Sequence, residues 1–157
     1  MNREAVELWS DAIGGAGTLI RYGHWGRPVL VFPTSRGHAG DFEHNGMVDA
    51  VSGLLDAGRI KLYCVDSYDS SSWFAGDLPL EERARGHGRY ESWILNQVVP
   101  WIHQDCGGPA QIATLGASLA VSPHASLNLG LTNEVTRAQG GIEYRSNVVN
   151  ATLVYSY

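Results

Sequence analysis

The sequence predicts an α/β protein: a three-layer α/β/α sandwich with a mostly parallel sheet and an antiparallel hairpin at its N-terminus. Continuous apolar runs at Pro28–Phe32 and Ile60–Val65 are typical of strands that helices bury on both faces. Between these runs the apolar residues recur at helical spacing. Strand, helix and strand therefore follow one another in the order of a parallel crossover unit.

The first strands are predicted from alternation. The segments Val6–Ser10 and Thr18–Gly23 alternate between apolar and polar residues, and Gly14-Gly15-Ala16-Gly17 separates them. A glycine-rich turn between two such segments predicts an antiparallel hairpin at an edge of the sheet.

Two helical regions are predicted. From 42 to 57 the apolar residues share one helix face, and Gly58 stands where a C-cap is expected. From 80 to 103 the spacing is again helical, and Pro100 predicts a kink or a break between two helices. Residues 67–79 between them form a polar and aromatic loop after a strand, where open α/β sheets bind their ligands.

A further apolar run, Ala110–Leu115, leads into Gly116-Ala117-Ser118-Leu119-Ala120. A small-x-Ser-x-small pentapeptide between a strand and a helix is typical of the nucleophile elbow of serine hydrolases, because small side chains allow the sharp bend that exposes the hydroxyl. The region from Ser118 to Leu131 could be that helix. The alternative is that Ser118 is only a helix N-cap.

Composition excludes several classes of function. With 157 residues and 17.0 kDa, the chain is expected to be one domain over 1–157, and its net charge of −5 argues against nucleic-acid binding. The N-terminus shows no signal-peptide pattern and no apolar run approaches membrane-spanning length, so we expect a cytoplasmic protein without a membrane partner. Cys64 is expected to be a small buried apolar residue, and Cys106 to lie in a loop.

Several segments together resemble the bacterial esterases of the α/β-hydrolase superfamily that are related to esterase D. The resemblance covers roughly the first three quarters of the chain, and it corresponds to the N-terminal half of such an enzyme. It is carried by Pro28-Val29-Leu30-Val31-Phe32-Pro33-Thr34-Ser35, by Gly46-Met47 to Gly58-Arg59-Ile60, by Tyr63 to Asp66 with Ser72-Trp73, by Val98-Val99-Pro100 and by Gly116-Ala117-Ser118.

The resemblance implies hydrolysis of a small carboxylic ester through an acyl-serine intermediate, without a cofactor. Ser118 would attack the carbonyl. The amides of Thr34 or Ser35 and of Leu119 would stabilise the negative oxygen that forms.

The chain departs from the family after Ser118. Such enzymes need a histidine to take the serine proton and a carboxylate to orient it, in the chain order serine, acid, histidine. Here His124 is the one histidine that follows, and Glu134 and Glu143 come after it. Chemistry alone therefore predicts weak or absent turnover.

The segment 132–157 is a divergent tail that does not align with the family. A frameshift or truncation would explain it; so would a short descendant in which segments such as Ala151–Tyr155 form a replacement strand. The alternative function is a catalytically inactive remnant that binds or self-associates, as a homo-oligomer, through an exposed sheet edge.

Other candidate residues allow two interpretations. Trp73 and Phe74 could wall an acyl pocket or only cover the end of the sheet. His38 and His44, with Asp41 and Glu43 between them, could be imagined as a metal cluster, but polar loop residues are the ordinary interpretation and no metal is predicted. Asp66 and Asp69 are expected to be turn residues or helix caps.

Overall fold

The computed structural model describes residues 2–115 in full and, beyond them, the backbone of strands at 119–122, 125–137 and 143–155. The main sheet has five strands in the order β1-β2-β4-β3-β5: β1 Arg3–Ser10, β2 Gly15–Tyr22, β3 Arg27–Val31, β4 Ile60–Val65 and β5 Ala113–Leu115.

The sheet is mixed. The β1–β2 and β2–β4 pairs are antiparallel, whereas β3 pairs in parallel with both β4 and β5. The hairpin predicted at the N-terminus is present, with β1 at the edge. The sheet expected to be mostly parallel has two parallel and two antiparallel pairings, because the hairpin joins the parallel strands through β2.

Helices cover both faces of this sheet. One face packs against α4 (Leu80–Trp93) and α5 (Val99–Asp105), and the other against α1 (Asp41–His44), α2 (Met47–Ala50) and α3 (Ser52–Asp56). Each face of the sheet has its own hydrophobic core, and alternate residues of β4 point into one or the other. Tyr63 lies in the core beneath α4 and α5, and Cys64 lies in the core beneath α1, α2 and α3. Cys64 is buried, as its apolar surroundings predict.

The single helix predicted from 42 to 57 is divided into three short ones. Gly46 has a left-handed φ of 72°, and Val51 has a φ of −108°. Both interrupt regular helical geometry. The spacing was misleading because it reports which residues face the sheet, as Val48 and Leu55 do, and not whether the backbone between them is continuous.

A π-helical turn, Ile94–Val98, joins α4 to α5. Pro100, in the first turn of α5, has no N–H to donate to the carbonyl of Asn96, and its ring crowds that carbonyl. The predicted kink or break at Pro100 is therefore realised as a widened turn. None of the helices in the described part of the chain is long and apolar enough to cross a membrane.

Beyond residue 118 the described segments are strands, which corrects the helix considered for 118–131. Strands β6 (Leu119–Ser122), β7 (Ala125–Arg137) and β8 (Glu143–Tyr155) form a second, antiparallel sheet in the order β6-β7-β8. Leu127, Leu129 and Leu131 recur at every second position, which is the strand period.

The strand expected near the C-terminus is present in β8, but it pairs with β7 rather than with the main sheet. A divergent tail at 132–157 within one domain over 1–157 stays a prediction.

A buried charge network ties α5 to the main sheet. Lys61 of β4 forms an ion pair with Asp105, the last residue of α5, and only 6% of the Lys61 side chain is exposed. Tyr63 donates a hydrogen bond to the same carboxylate at 2.8 Å, and Arg21 of β2 contacts it at 3.1 Å. Each buried charge therefore has a partner, as burial requires.

Burial by itself would raise the pKa of Asp105. The hydrogen bonds from Lys61 and Tyr63, together with the positive charges of Lys61 and Arg21, outweigh that effect and hold the pKa below its ordinary value. The carboxylate is thus ionised at neutral pH and contributes stability there.

We predict that Asp105→Asn lowers the free energy of unfolding by about 3 kcal/mol at pH 7, because it leaves Lys61 buried without a counter-charge. Because the folded pKa is depressed, this contribution is complete above the unfolded pKa and disappears as the pH falls below about 4. Urea unfolding of both proteins at pH 7 and pH 3 measures the difference.

The matched control is Glu81→Gln, which breaks an exposed ion pair with Arg85 on α4. It should change the free energy of unfolding by less than about 1 kcal/mol. Equal losses in the two variants would contradict the structural role of Asp105.

Candidate functional site

A cleft of about 410 Å³ opens at the carboxyl ends of β3, β4 and β5. Its lining includes Phe32, Val65 and Leu115, which lie at the ends of these strands or one residue beyond. Ligands of open α/β sheets bind at this edge, because the loops that follow the strands meet there. The cleft is therefore the candidate functional site.

Strand register brings two of the predicted site segments to the same place. Val31 is the parallel partner of Leu115, and the Phe32 amide donates to the Leu115 carbonyl at 2.9 Å. The loop after β3 and the chain after β5 therefore leave the sheet side by side. Ser118 lies outside the described residues; three residues of extended chain reach about 10 Å at most from Leu115.

Asp66, one residue past β4, fastens the loop after β3. Its Oδ1 accepts a hydrogen bond from the Ala39 amide at 2.9 Å, and its Oδ2 accepts one from the Thr18 amide of the hairpin, also at 2.9 Å. The sequence suggested a turn residue or cap. Tertiary contacts instead make this carboxylate the link between strand β2 and the loop after β3, which are distant in sequence.

Asp69 fastens the same loop at a second point. Its Oδ2 accepts a hydrogen bond from the Arg36 amide at 2.9 Å. Arg36 has a φ of 56°, in the left-handed region that residues other than glycine seldom adopt. The hydrogen bond that the Arg36 amide donates to Asp69 stabilises that conformation. The Arg36 guanidinium lies 4.8 Å from the centre of the Phe74 ring.

Gly37 closes the turn of this loop. Its amide donates to the Thr34 carbonyl at 2.9 Å. A Cβ at this position would lie 2.7 Å from Oδ2 of Asp41 and 2.8 Å from the Thr34 carbonyl oxygen. Only glycine fits between these atoms.

These contacts leave two backbone amides of the segment 32–39 uncommitted, that is, without a hydrogen-bond acceptor among the described residues. The amides of Thr34 and Ser35 find no acceptor among the described residues, and Pro33 has no N–H to donate. The other amides of the segment all donate to acceptors within the protein, namely those of Phe32, Arg36, Gly37, His38 and Ala39. Two neighbouring N–H donors are thus available in the loop after β3, residues 32–39, which we call the braced loop.

The predicted oxyanion residues differ in their surroundings. Thr34 lines the cleft, whereas the Ser35 hydroxyl is buried and finds no partner in the described part of the chain. Leu119 begins strand β6 and is registered with Leu127. A strand therefore stands where an elbow would continue into a helix, and the roles of Ser118 and Leu119 stay predictions.

The predicted pocket residues contact the loop after β3 and helix α4. Phe74 contacts Arg36, and the Trp73 ring packs 5.3 Å from His87 of α4. Burial lowers the pKa of His87, although Glu91 and Asp69 oppose this effect. Neither Trp73 nor Phe74 is among the described residues that line the cleft. An acyl pocket walled by them stays a prediction.

The titratable side chains among the described residues that line the cleft are His38, Asp41 and Cys64. Burial raises the pKa of Cys64 to about 12, so its thiol is protonated and a poor nucleophile at neutral pH. His38 is 81% exposed, and its Nδ1 lies 3.9 Å from Oδ1 of Asp66. Within residues 2–115 the structure shows no group of three His, Cys, Asp or Glu side chains placed to hold a metal ion.

Comparison with known proteins gives one informative likeness. No family model matches the sequence, and no curated protein matches it. The fold is similar to the crystal structure of an IroE-like serine hydrolase from Shewanella oneidensis, with a TM-score of 0.50 and 11% sequence identity over 72% of this chain. The aligned region is 42% of the length of that hydrolase. At this identity the likeness concerns the fold alone: the chain has a fold similar to that of this hydrolase.

Proposed function

We propose that this protein is a serine esterase that hydrolyses small carboxylic esters through an acyl-Ser118 intermediate. The observation that supports it best is the pair of uncommitted amides at Thr34 and Ser35, beside the strand that leads to Ser118. The hydrolase-like fold supports the same assignment. No cofactor enters the proposed reaction.

The chemistry follows from charge development at the ester carbonyl. Attack by the serine oxygen places a negative charge on the former carbonyl oxygen. Fixed backbone donors stabilise that charge without reorientation, and the loss of one such donor typically costs about 3 kcal/mol of transition-state stabilisation. Thr34 and Ser35 would supply one side of this site, and the Leu119 amide the other.

A second candidate function is a catalytically inactive relative that binds or self-associates. It is favoured by the residues after Ser118, which do not offer an acid and then a histidine in the expected order. Among the described strands of the main sheet, the short strand β5 pairs with β3 and has no second neighbour, so it could pair with a second copy.

We predict that Ser118→Ala abolishes hydrolysis of p-nitrophenyl acetate and labelling by a serine-directed fluorophosphonate, because both require the attacking oxygen. The control is Ser70→Ala, which removes an exposed hydroxyl from the loop after β4. Equal rates in wild type and Ser118→Ala would exclude the esterase and favour the inactive alternative.

We predict that Asp69→Ala lowers kcat about tenfold while KM stays unchanged, since loss of its bond to Arg36 loosens the Thr34 and Ser35 donors that act in the transition state. Asp69→Asn, whose side-chain oxygen can still accept, should retain most of the rate. Steady-state kinetics of both variants measure the effect.

The control for these variants is Asp77→Asn, at an exposed loop position. A rise in KM with unchanged kcat in Asp69→Ala would argue against a role in holding the oxyanion donors.

A further inference from the structure

The cleft contains a histidine that the family pattern does not use. His38 lies in the braced loop after β3 and lines the same cleft as Thr34 and Leu115. We propose that His38, oriented by Asp66, is the general base that activates Ser118. This inference rests on the proposed function, and it supplies the proton acceptor that the sequence after Ser118 does not provide in the expected order.

The backbone of His38 is fixed although its ring is exposed. Its amide donates to Oδ2 of Asp41 at 3.0 Å, and its carbonyl accepts from the Asp41 amide at 3.0 Å. The next residue, Ala39, is bonded to Asp66. The ring can therefore turn about its own side-chain bonds while its attachment point on the cleft stays in place.

Asp66 is suited to orient the ring. A carboxylate offers about four acceptor positions, of which the Ala39 and Thr18 amides occupy one on each oxygen. The second position on Oδ1 is available to Nδ1 of His38, 3.9 Å away, and a small rotation of the exposed ring would close a hydrogen bond. That bond would fix Nδ1 as the protonated nitrogen and leave Nε2 as the proton acceptor.

The other titratable groups around His38 do not compete for this role. Asp41 engages the backbone of His38 through its own carboxylate, and Asp66 already accepts two amides. Cys64, on the same cleft, stays a thiol at neutral pH because burial raises its pKa to about 12. Imidazole is the side chain that takes up and returns protons near neutral pH.

The reaction balances with this assignment. Nε2 of His38 takes the proton of the Ser118 hydroxyl as the serine oxygen bonds to the ester carbonyl carbon. The bond from that carbon to the leaving oxygen then breaks, and His38 returns the proton to the departing alcohol. Water, deprotonated by the same nitrogen, cleaves the acyl-serine bond and regenerates Ser118.

The test measures acylation in a single turnover of p-nitrophenyl acetate. His38→Ala should lower the rate at pH 7 about 100-fold or more, and added imidazole should restore part of it by entering the space left by the ring. The pH dependence of the wild-type acylation rate should be absent from His38→Ala, because that variant lacks the proton acceptor.

The matched control is His44→Ala, another exposed histidine that is not among the described residues lining the cleft. It should keep the wild-type rate and pH profile. His38→Gln serves as a second variant, and thermal melting by circular dichroism confirms that both His38 variants fold.

The outcomes separate the two proposals. Acylation that requires Ser118 but not His38 would overturn the assignment of the base and leave the esterase standing. A wild-type protein that is not acylated at Ser118 would overturn both. A rate loss in His38→Ala that imidazole does not relieve, together with the same loss in His44→Ala, would show a structural effect and reject the proposed base.

Discussion

The arrangement of the candidate site depends on one carboxylate. Asp66 follows β4 and accepts backbone hydrogen bonds from Thr18 in the hairpin and from Ala39 in the loop after β3, both at 2.9 Å. Three segments far apart in sequence are held together at one edge of the sheet by this residue. Hydrogen bonds to a charged acceptor are stronger than neutral ones, which suits a loop that has little regular structure of its own.

The strand order determines which loops meet at the carboxyl ends of the strands. Because β3 lies between β4 and β5, its loop meets Asp66 and Asp69 on one side and the chain leaving β5 on the other. The left-handed backbone of Arg36 and the close fit of Gly37 are concentrated in that loop. Strained conformations persist only where surrounding contacts fix them, and such sites are often functional. The uncommitted amides of Thr34 and Ser35 lie within this fixed segment.

The charge network and the candidate site lie in different regions of the sheet. The ion pair of Lys61 and Asp105 joins α5 to the beginning of β4, whereas the cleft opens at the ends of the strands. A substitution in the charge network therefore tests folding, and one in the braced loop tests the site. The likeness to the serine hydrolase covers 72% of the chain. The second sheet of β6, β7 and β8 follows the main sheet in the sequence.

Local sequence patterns predicted several of the secondary-structure elements. Continuous apolar runs identified β3 and β4, glycines between alternating segments identified the hairpin, and Pro100 marked the wide turn between α4 and α5. Short-range periodicity did not show that Gly46 and Val51 divide one helix into three, because backbone continuity depends on individual dihedral angles. The folded arrangement was needed to show that Asp66 and Asp69 bind the loop after β3, and that His38 shares a cleft with Thr34 and Leu115. These contacts follow from strand order and register, which bring together residues that no local pattern relates.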